Sequence, residues 1–396
     1  MNFLFVCGGT AGHINPALAI AGEIRRTNPD AKILFAGAGK ELENRLIPHE
    51  GFHIVNIRMS GLRRDVSAES LRYNARTMRN LATAGIKAEE LIRRFDPQVV
   101  VGTGGYICYP ILRKAAQLCI LTIVHESNAV PGLTTKLLSA SVDRVLISFP
   151  ELEGLYRHPE RVFLTGTPVL GGFKPGVGQP ADPAVDPASD TAADAAADLA
   201  ASPERGDRRL VVSFWGSLGA ERMNDMMADF IKLNAQAGLF DHIHAAGKKE
   251  SADMMRSKLK KLGMPDVMPQ GTSLVEYIHD MQSVMAAADL VMCRAGGSTI
   301  AELTVLGKPA VLIPSPYVTN NQQIKNAEQV EKAGGAVLLQ ERDCTGEMLF
   351  ETVSDILKDK DKLSRMGDAQ KALGAPDAAA NIARMIMGLL RERSGR

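Results

Sequence analysis

Long apolar runs are missing from this sequence. None reaches the roughly 18 residues of a membrane span, so no integral membrane segment is expected. The N-terminus enters an apolar strand at once, without a basic stretch, an apolar signal core or a cleavage site, which predicts a protein made and kept in the cytoplasm. An excess of one charge is missing as well: 46 Lys and Arg against 45 Asp and Glu favour neither nucleic acid nor a strongly acidic partner. Cysteine pairs are absent. Cys7, Cys108, Cys119, Cys293 and Cys344 are five scattered residues without a CxxC, which fits reduced thiols rather than a disulfide frame. The close pair His242 and His244 (HIH) lacks a third ligand at a metal-binding spacing and reads as a structural pair at a strand edge, so no metal is expected.

Three catalytic signatures are also absent. GxGxxG fails at both candidate turns, because Ile107 stands sixth from Gly102 and Thr10 stands two places after Gly8. The strand in KILFAGAGK does not end in the acidic residue that would grip an adenosine ribose, and there is no GxxxxGK[ST] loop. A nicotinamide-dependent enzyme and a Walker-type NTPase are thereby disfavoured. No GxSxG elbow marks a serine hydrolase.

What the chain does contain is a globular composition, 45% hydrophobic and 23% charged over 396 residues, enough for two or three domains. One segment breaks the pattern. Residues 174–209 are rich in Ala, Asp and Pro and nearly devoid of large apolar side chains, and cannot bury enough surface to fold alone. On each side of it, short Val/Ile/Leu strands alternate with helices, the rhythm of a parallel sheet covered on both faces. Strands are predicted at 2–7, 32–36, 98–101, 121–124 and 144–147 in the first half, and at 210–215, 242–245, 290–293, 310–313 and 336–339 in the second. The chain thus divides into doubly wound α/β domains at 1–170 and 210–376, a flexible linker at 171–209, and a last helix capped by Asp377, with Ile382, Met385, Ile386 and Leu389 on one face.

Four strand-to-helix turns are glycine-rich: GGTAGH, GTGGYICYP, WGSLGAE and CRAGGSTIAE, two in each half. In open parallel sheets ligands sit beyond the carboxyl ends of the strands, so each half would present its turns along one edge and two such edges would make a cleft. In the first turn Asn15 reads as N-cap and Pro16 as the first helical residue. Gly8 to Gly12 would then aim backbone N–H groups and a helix dipole at an anion, with His13 at the rim, facing the ligand or capping a surface loop. In CRAGGSTIAELTVLG, Ser298 can cap a helix that ends at Gly307 and carries Glu302, a carboxylate able to accept from two ribose hydroxyls. The amides Asn320, Asn321, Gln322 and Gln323 suit sugar hydroxyls, which need donors and acceptors together.

Taken in order, GGTAGHINPALAIA, GTGGYICYP, HESNAVPGLTTKLL, GSLGA, GGSTIAE and NNQQIKNA resemble the MurG family of bacterial transferases, along almost the whole chain except the 174–209 insertion. The resemblance implies a GT-B architecture, two doubly wound Rossmann-like domains facing across a cleft. The C-terminal domain would hold UDP-GlcNAc, the N-terminal one a lipid-linked MurNAc-pentapeptide acceptor, and the last helix would return to the first domain. It implies His13 as the favoured catalytic residue beside Thr10, Ala11 and Gly12, Glu126 as a second acid/base candidate, and Asn128 near the donor sugar. It assigns Gly104, Gly105 and Tyr106 to the acceptor diphosphate and Ser217 to that of the donor. Ile278 and Gly297, Ser298 and Thr299 go to uracil and phosphates, Glu302 to ribose, and Gln322 with Gln323 to the GlcNAc hydroxyls. The family usually has an arginine soon after NPV, whereas GTPVLGGF places Leu170 there; either another basic residue replaces it or the donor contacts differ locally.

The implied reaction inverts the anomeric centre in one displacement, with no cofactor. Imidazole exchanges protons near neutrality and suits the acceptor 4-hydroxyl, as general base or alternatively as a donor to phosphate. Helix N-termini and turn amides would meet the charge of departing UDP. A lipid-linked acceptor implies peripheral binding at the cytoplasmic side of the cell membrane, for which the Arg-rich stretch 61–95 is suited. Other GT-B activities stay open, namely a diacylglycerol glycosyltransferase or a UDP-GlcNAc 2-epimerase, as does a non-catalytic sugar-nucleotide-binding partner.

Overall fold

The computed structural model describes residues 1–57, 83–173, 208–216 and 219–395. Ser217, nearly all of the 174–209 linker and most of the Arg-rich stretch 61–95 lie outside the described residues. The chain forms two compact units: Met1–Gly171 with Ala375–Arg396, and Gly172–Gly374.

The first unit is built on a seven-stranded parallel sheet in the order β3-β2-β1-β4-β5-β6-β7. Its strands are β1 Asn2–Cys7, β2 Lys32–Gly37, β3 His53–Asn56, β4 Val99–Gly104, β5 Leu121–Glu126, β6 Arg144–Ile147 and β7 Val162–Leu164. Side chains alternate along β1, so Phe3 and Phe5 enter one core and Leu4 and Val6 the other. Both faces are covered, and the strand therefore reads as an uninterrupted apolar run.

The second unit repeats the plan with six parallel strands in the order β10-β9-β8-β11-β12-β13. They are β8 Leu210–Phe214, β9 Asp241–Ala245, β10 Thr272–Val275, β11 Leu290–Cys293, β12 Ala310–Leu312 and β13 Ala336–Leu338. In each sheet the order reverses once, between β1 and β4 and between β8 and β11. At such a switch point adjacent loops leave in opposite directions and open a crevice for a ligand. All four glycine-rich turns follow these four strands.

Strands β3, β7 and β10 are absent from the sequence prediction. All three are edge strands of at most four residues and at least half solvated. The first helix also differs from expectation. It starts at Ala11 with Thr10 as N-cap, and not at Pro16. The Thr10 carbonyl accepts from His13 N (3.0 Å) and Ile14 N (3.2 Å), so the turn is closed before Pro16 arrives. Pro16 then costs the helix a single N–H, the one that would have reached Gly12.

The last helix, Ala378–Ser394, packs on helix Ala11–Thr27 within the first unit. Ile382 and Ile386 are fully buried there, Met385 and Leu389 partly so, and Arg393 pairs with Asp143 at 2.7 Å. Ile386→Ala removes a side chain from a closed core and is expected to cost the first unit about 2–4 kcal/mol, read as a lowered urea midpoint with unchanged slope.

Candidate active site

At the first unit's switch point, His13 stands in the first turn of helix Ala11–Thr27, behind Ala11 and Gly12, half-buried. Its Nδ1 lies 2.8 Å from the Gly8 carbonyl oxygen and 3.5 Å from Thr10 Oγ1. A carbonyl can only accept, so Nδ1 carries a proton, and in the neutral ring this tautomer leaves the lone pair on Nε2. From the neighbouring strand, Thr103 Oγ1 donates to the His13 backbone oxygen at 2.6 Å. The turn after β4 closes over the ring. Gly104 and Gly105 have φ of +126° and +88°, and a Cβ at Gly104 would stand 2.3 Å from His13 Cδ2. Only glycine allows that path and that approach. Tyr106 follows them, half-buried against the core.

One part of the anion turn differs from expectation. The N–H of Gly9 is occupied by the Glu43 carboxylate at 2.8 Å and is not offered to a ligand. Glu126, expected as a second acid/base, is buried at the end of β5. Its Oε1 accepts from Asn128 N (3.2 Å) and Nδ2 (3.0 Å), and its Oε2 from Gly132 N (2.8 Å). With both oxygens engaged, this carboxylate shapes the 126–132 loop and orients Asn128. Beneath it, His125 Nε2 donates to the Gly166 carbonyl at 3.0 Å, and burial holds its pKa below the usual imidazole range. Leu170 packs against the first core.

In the second unit the turn after β11 leads into helix Gly297–Leu306, whose N-cap is Gly296. Ser298, expected as the cap, is buried one residue inside the helix, between Gly297 and Thr299, because Gly296 already holds the extended conformation that a cap requires. Gly307 ends the helix at φ +66°. Glu302 points from this helix without a hydrogen-bond or ion partner among the described residues, and burial pushes its carboxyl up to about 8. Asn326 Nδ2 donates to the Ala295 carbonyl at 3.0 Å, tying helix Gln322–Lys332 to the same turn. That helix begins after Asn320 and Asn321, both left-handed, and Gln323 Oε1 accepts from Ser315 N at 2.8 Å. An amide engaged through its oxygen still has two N–H donors to give. Gln322 is the first residue of the helix, and Ile278 is buried in the loop beyond β10, just before Asp280 caps helix Met281–Ala287.

The histidine pair is not at an edge, since β9 lies between β10 and β8. Ser213 Oγ bridges His242 Nε2 (2.8 Å) and His244 Nδ1 (2.7 Å), and His244 Nε2 donates to Asn224 Oδ1 at 3.2 Å. Asn224 Nδ2 in turn donates to the Ala246 carbonyl at 2.8 Å. Burial pushes His244 down to about 3 and His242 well below the ordinary value, so both rings are neutral members of a directional core network. Among the described residues, no three His, Cys, Asp or Glu side chains are grouped to hold a metal.

Residues 3–147 match the N-terminal domain of glycosyltransferase family 28, and residues 210–382 match its C-terminal domain. The chain is 39% identical over 394 residues, all of both proteins, to the UDP-N-acetylglucosamine--N-acetylmuramyl-(pentapeptide) pyrophosphoryl-undecaprenol N-acetylglucosamine transferase of Acetivibrio thermocellus. The chain belongs to glycosyltransferase family 28. The crystal structure of Acinetobacter baumannii MurG superposes with a TM-score of 0.70 at 21% identity, covering 98% of this chain and 99% of that one. A UDP-GlcNAc 2-epimerase from Neisseria meningitidis bound to UDP-GlcNAc gives 0.66 at 12% identity, covering 98% and 100%. These two likenesses show the GT-B fold.

Several residues that organise these turns carry little sequence signal. Glu43 and Asn326 look like solvated helix residues until the fold closes around them. Arg294 stands directly after β11, inside the glycine-rich turn CRAGGSTIAE. It is buried, pairs with Glu341 at 2.7 Å, donates to the Ile313 carbonyl at 3.0 Å and lies 5.9 Å from the Trp215 ring centre, bracing the β8 and β11 turns.

Proposed function

We propose that this chain transfers GlcNAc from UDP-GlcNAc, with inversion, to the 4-hydroxyl of a MurNAc-pentapeptide carried on undecaprenyl pyrophosphate, a step of peptidoglycan synthesis. The observation that carries this reading is full-length 39% identity to a relative named for that reaction. The tautomer of His13 supports it, because an unprotonated Nε2 is what a general base requires. In this reading His13 Nε2 takes the proton of the attacking hydroxyl as the oxygen bonds to the anomeric carbon and UDP leaves. Gly104, Gly105 and Tyr106 contact the acceptor diphosphate, beside Thr10, Ala11 and Gly12. Asn128, oriented by Glu126, contacts the sugar.

The donor falls to the second unit. Ser217 and Gly297 to Thr299 meet the diphosphate, Ile278 the uracil, Glu302 the ribose hydroxyls, and Gln322 and Gln323 the GlcNAc hydroxyls. As UDP departs, its charge is met by amides and by the N-terminus of helix Gly297–Leu306. No described helix is long and apolar enough to cross a membrane, and the lipid acceptor is reached by peripheral attachment at the cytoplasmic face of the membrane. Flotation with anionic liposomes at low salt tests that attachment; a protein that stays at the bottom of the gradient counts against it.

The epimerase reading differs in needing no acceptor. Incubated with UDP-GlcNAc alone the protein is expected to leave the donor intact and to release UDP only when the lipid acceptor is added. Formation of the 2-epimer from donor alone would overturn the transferase reading.

Glu302 gives a sharper prediction. A carboxyl whose folded pKa is raised contributes its full stability below the unfolded value and loses it as pH climbs through about 8. Glu302→Gln is therefore expected to melt with wild type at pH 4 and above it at pH 9, while binding UDP-GlcNAc roughly tenfold more weakly, the loss of about one hydrogen bond. Thermal melts without ligand and calorimetric titration with donor check the two halves separately.

A further inference from the structure

Glu43 is fully buried, and no cation compensates it among the described residues. Its carboxylate accepts instead from three backbone amides: Gly9 N at 2.8 Å through Oε1, and Gly39 N at 2.9 Å and Lys40 N at 3.1 Å through Oε2. The turn is shaped to admit it. A Cβ at Gly8 would stand 3.0 Å from Oε1 and one at Gly37 2.6 Å from Oε2. A fixed carboxylate placed this deeply costs desolvation that a neutral acceptor would avoid.

The position of its first partner gives the charge a use. Gly9 N and the Gly8 carbonyl belong to one peptide group, and that carbonyl accepts from His13 Nδ1 at 2.8 Å. We propose that Glu43 is the positioning residue of the reaction, acting on His13 through the Gly8–Gly9 peptide. The carboxylate polarises the peptide from its N–H end, and the carbonyl becomes a stronger acceptor for Nδ1–H. The proton is held on Nδ1, Nε2 is left as the basic atom, and the cation formed when Nε2 takes the substrate proton is stabilised by a charge one peptide away. Glu43 touches neither substrate nor reacting atoms.

Other groups around the ring do not supply that charge. Cys7 on β1 and Cys108 beyond the Gly104 turn are buried thiols, the second pushed up to about 12 by its burial, and both stay neutral. Gly104, Gly105 and Thr103 carry no charge, and the Glu126 carboxylate on β5 accepts from Asn128 and Gly132, neither of which shares a peptide with the Gly8 carbonyl.

The inference rests on His13 being the base, and its test separates the two. In protein labelled with 15N histidine, with His13 assigned by its Ala variant, the neutral ring is expected to show a protonated Nδ1 and a bare Nε2. Glu43→Gln is expected to shift that ring toward a mixture of tautomers. It should also lower kcat at least tenfold at unchanged KM for UDP-GlcNAc and move the acidic limb of the kcat profile about one pH unit lower, because the imidazolium loses a nearby anion. Glu43→Asp, which keeps the charge, is expected to restore the limb. A wild-type ring protonated on Nε2 overturns the proposal, and that measurement needs no variant to fold. So does a folded Glu43→Gln protein with wild-type tautomer and kcat. Full turnover in His13→Ala would instead overturn the base assignment, while the spectra would still support the effect of Glu43 on the ring.

Discussion

His13→Ala is expected to lower turnover by 10² or more while UDP-GlcNAc binding stays within twofold of wild type. The size follows from the task. Proton removal by a positioned base contributes about 10² to 10⁴, and Ala leaves the acceptor hydroxyl with water as its only proton acceptor. The unchanged donor affinity follows from the division of labour proposed above, in which the second unit holds the donor mainly and His13 meets the acceptor hydroxyl. Steady-state kinetics with the lipid acceptor and calorimetry with UDP-GlcNAc give the two numbers. A fall in donor affinity that matches the fall in turnover would make His13 a phosphate ligand. His13→Gln sharpens the distinction, since a neutral donor could still serve a phosphate but could not accept the proton.

Gly104→Ala is expected to be nearly as damaging without touching any reacting group. At φ +126° a side chain is strained by about 1–3 kcal/mol, and the new Cβ would stand 2.3 Å from His13 Cδ2, where no carbon can stay. The ring must move. A displacement of about 1 Å in a catalytic group can cost about 10² in rate, so kcat should fall by that order with donor binding unaffected and a lowered melting temperature for the first unit. Gly22→Ala supplies the control. Gly22 lies inside helix Ala11–Thr27 with open space where its Cβ would go, and alanine there is expected to add up to about 1 kcal/mol of stability with no change in kcat.

Much of this arrangement is legible in the sequence, for identifiable reasons. Strands such as Asn2–Cys7 and Val99–Gly104 are buried on both faces, so they announce themselves as apolar runs, and the glycines that follow mark the turns at the switch points. Solvated edge strands give no such signal: His53–Asn56 is mostly exposed and reads as loop, whereas the apolar edge strand Ala336–Leu338 is legible. Pro16 misleads about the helix start because the rule that sets proline at the first position ignores a turn already closed by the Thr10 carbonyl. Glu302 is legible because it follows a glycine turn at helical spacing. Glu43 is not, since its partners Gly9 and Gly39 come from two different strand ends and meet only when β1 and β2 pair. Its chemistry is a product of topology.

The central claim is an inverting transfer to a lipid-linked muramoyl acceptor, and the product's linkage tests it most directly. Wild-type protein incubated with UDP-GlcNAc and the undecaprenyl pyrophosphoryl MurNAc-pentapeptide should yield one disaccharide lipid. Its GlcNAc should be joined to the 4-hydroxyl in the β configuration, as read from the anomeric proton coupling and the mass. An α-linked product, attachment at another hydroxyl, or donor consumed with no sugar on the lipid would contradict the account.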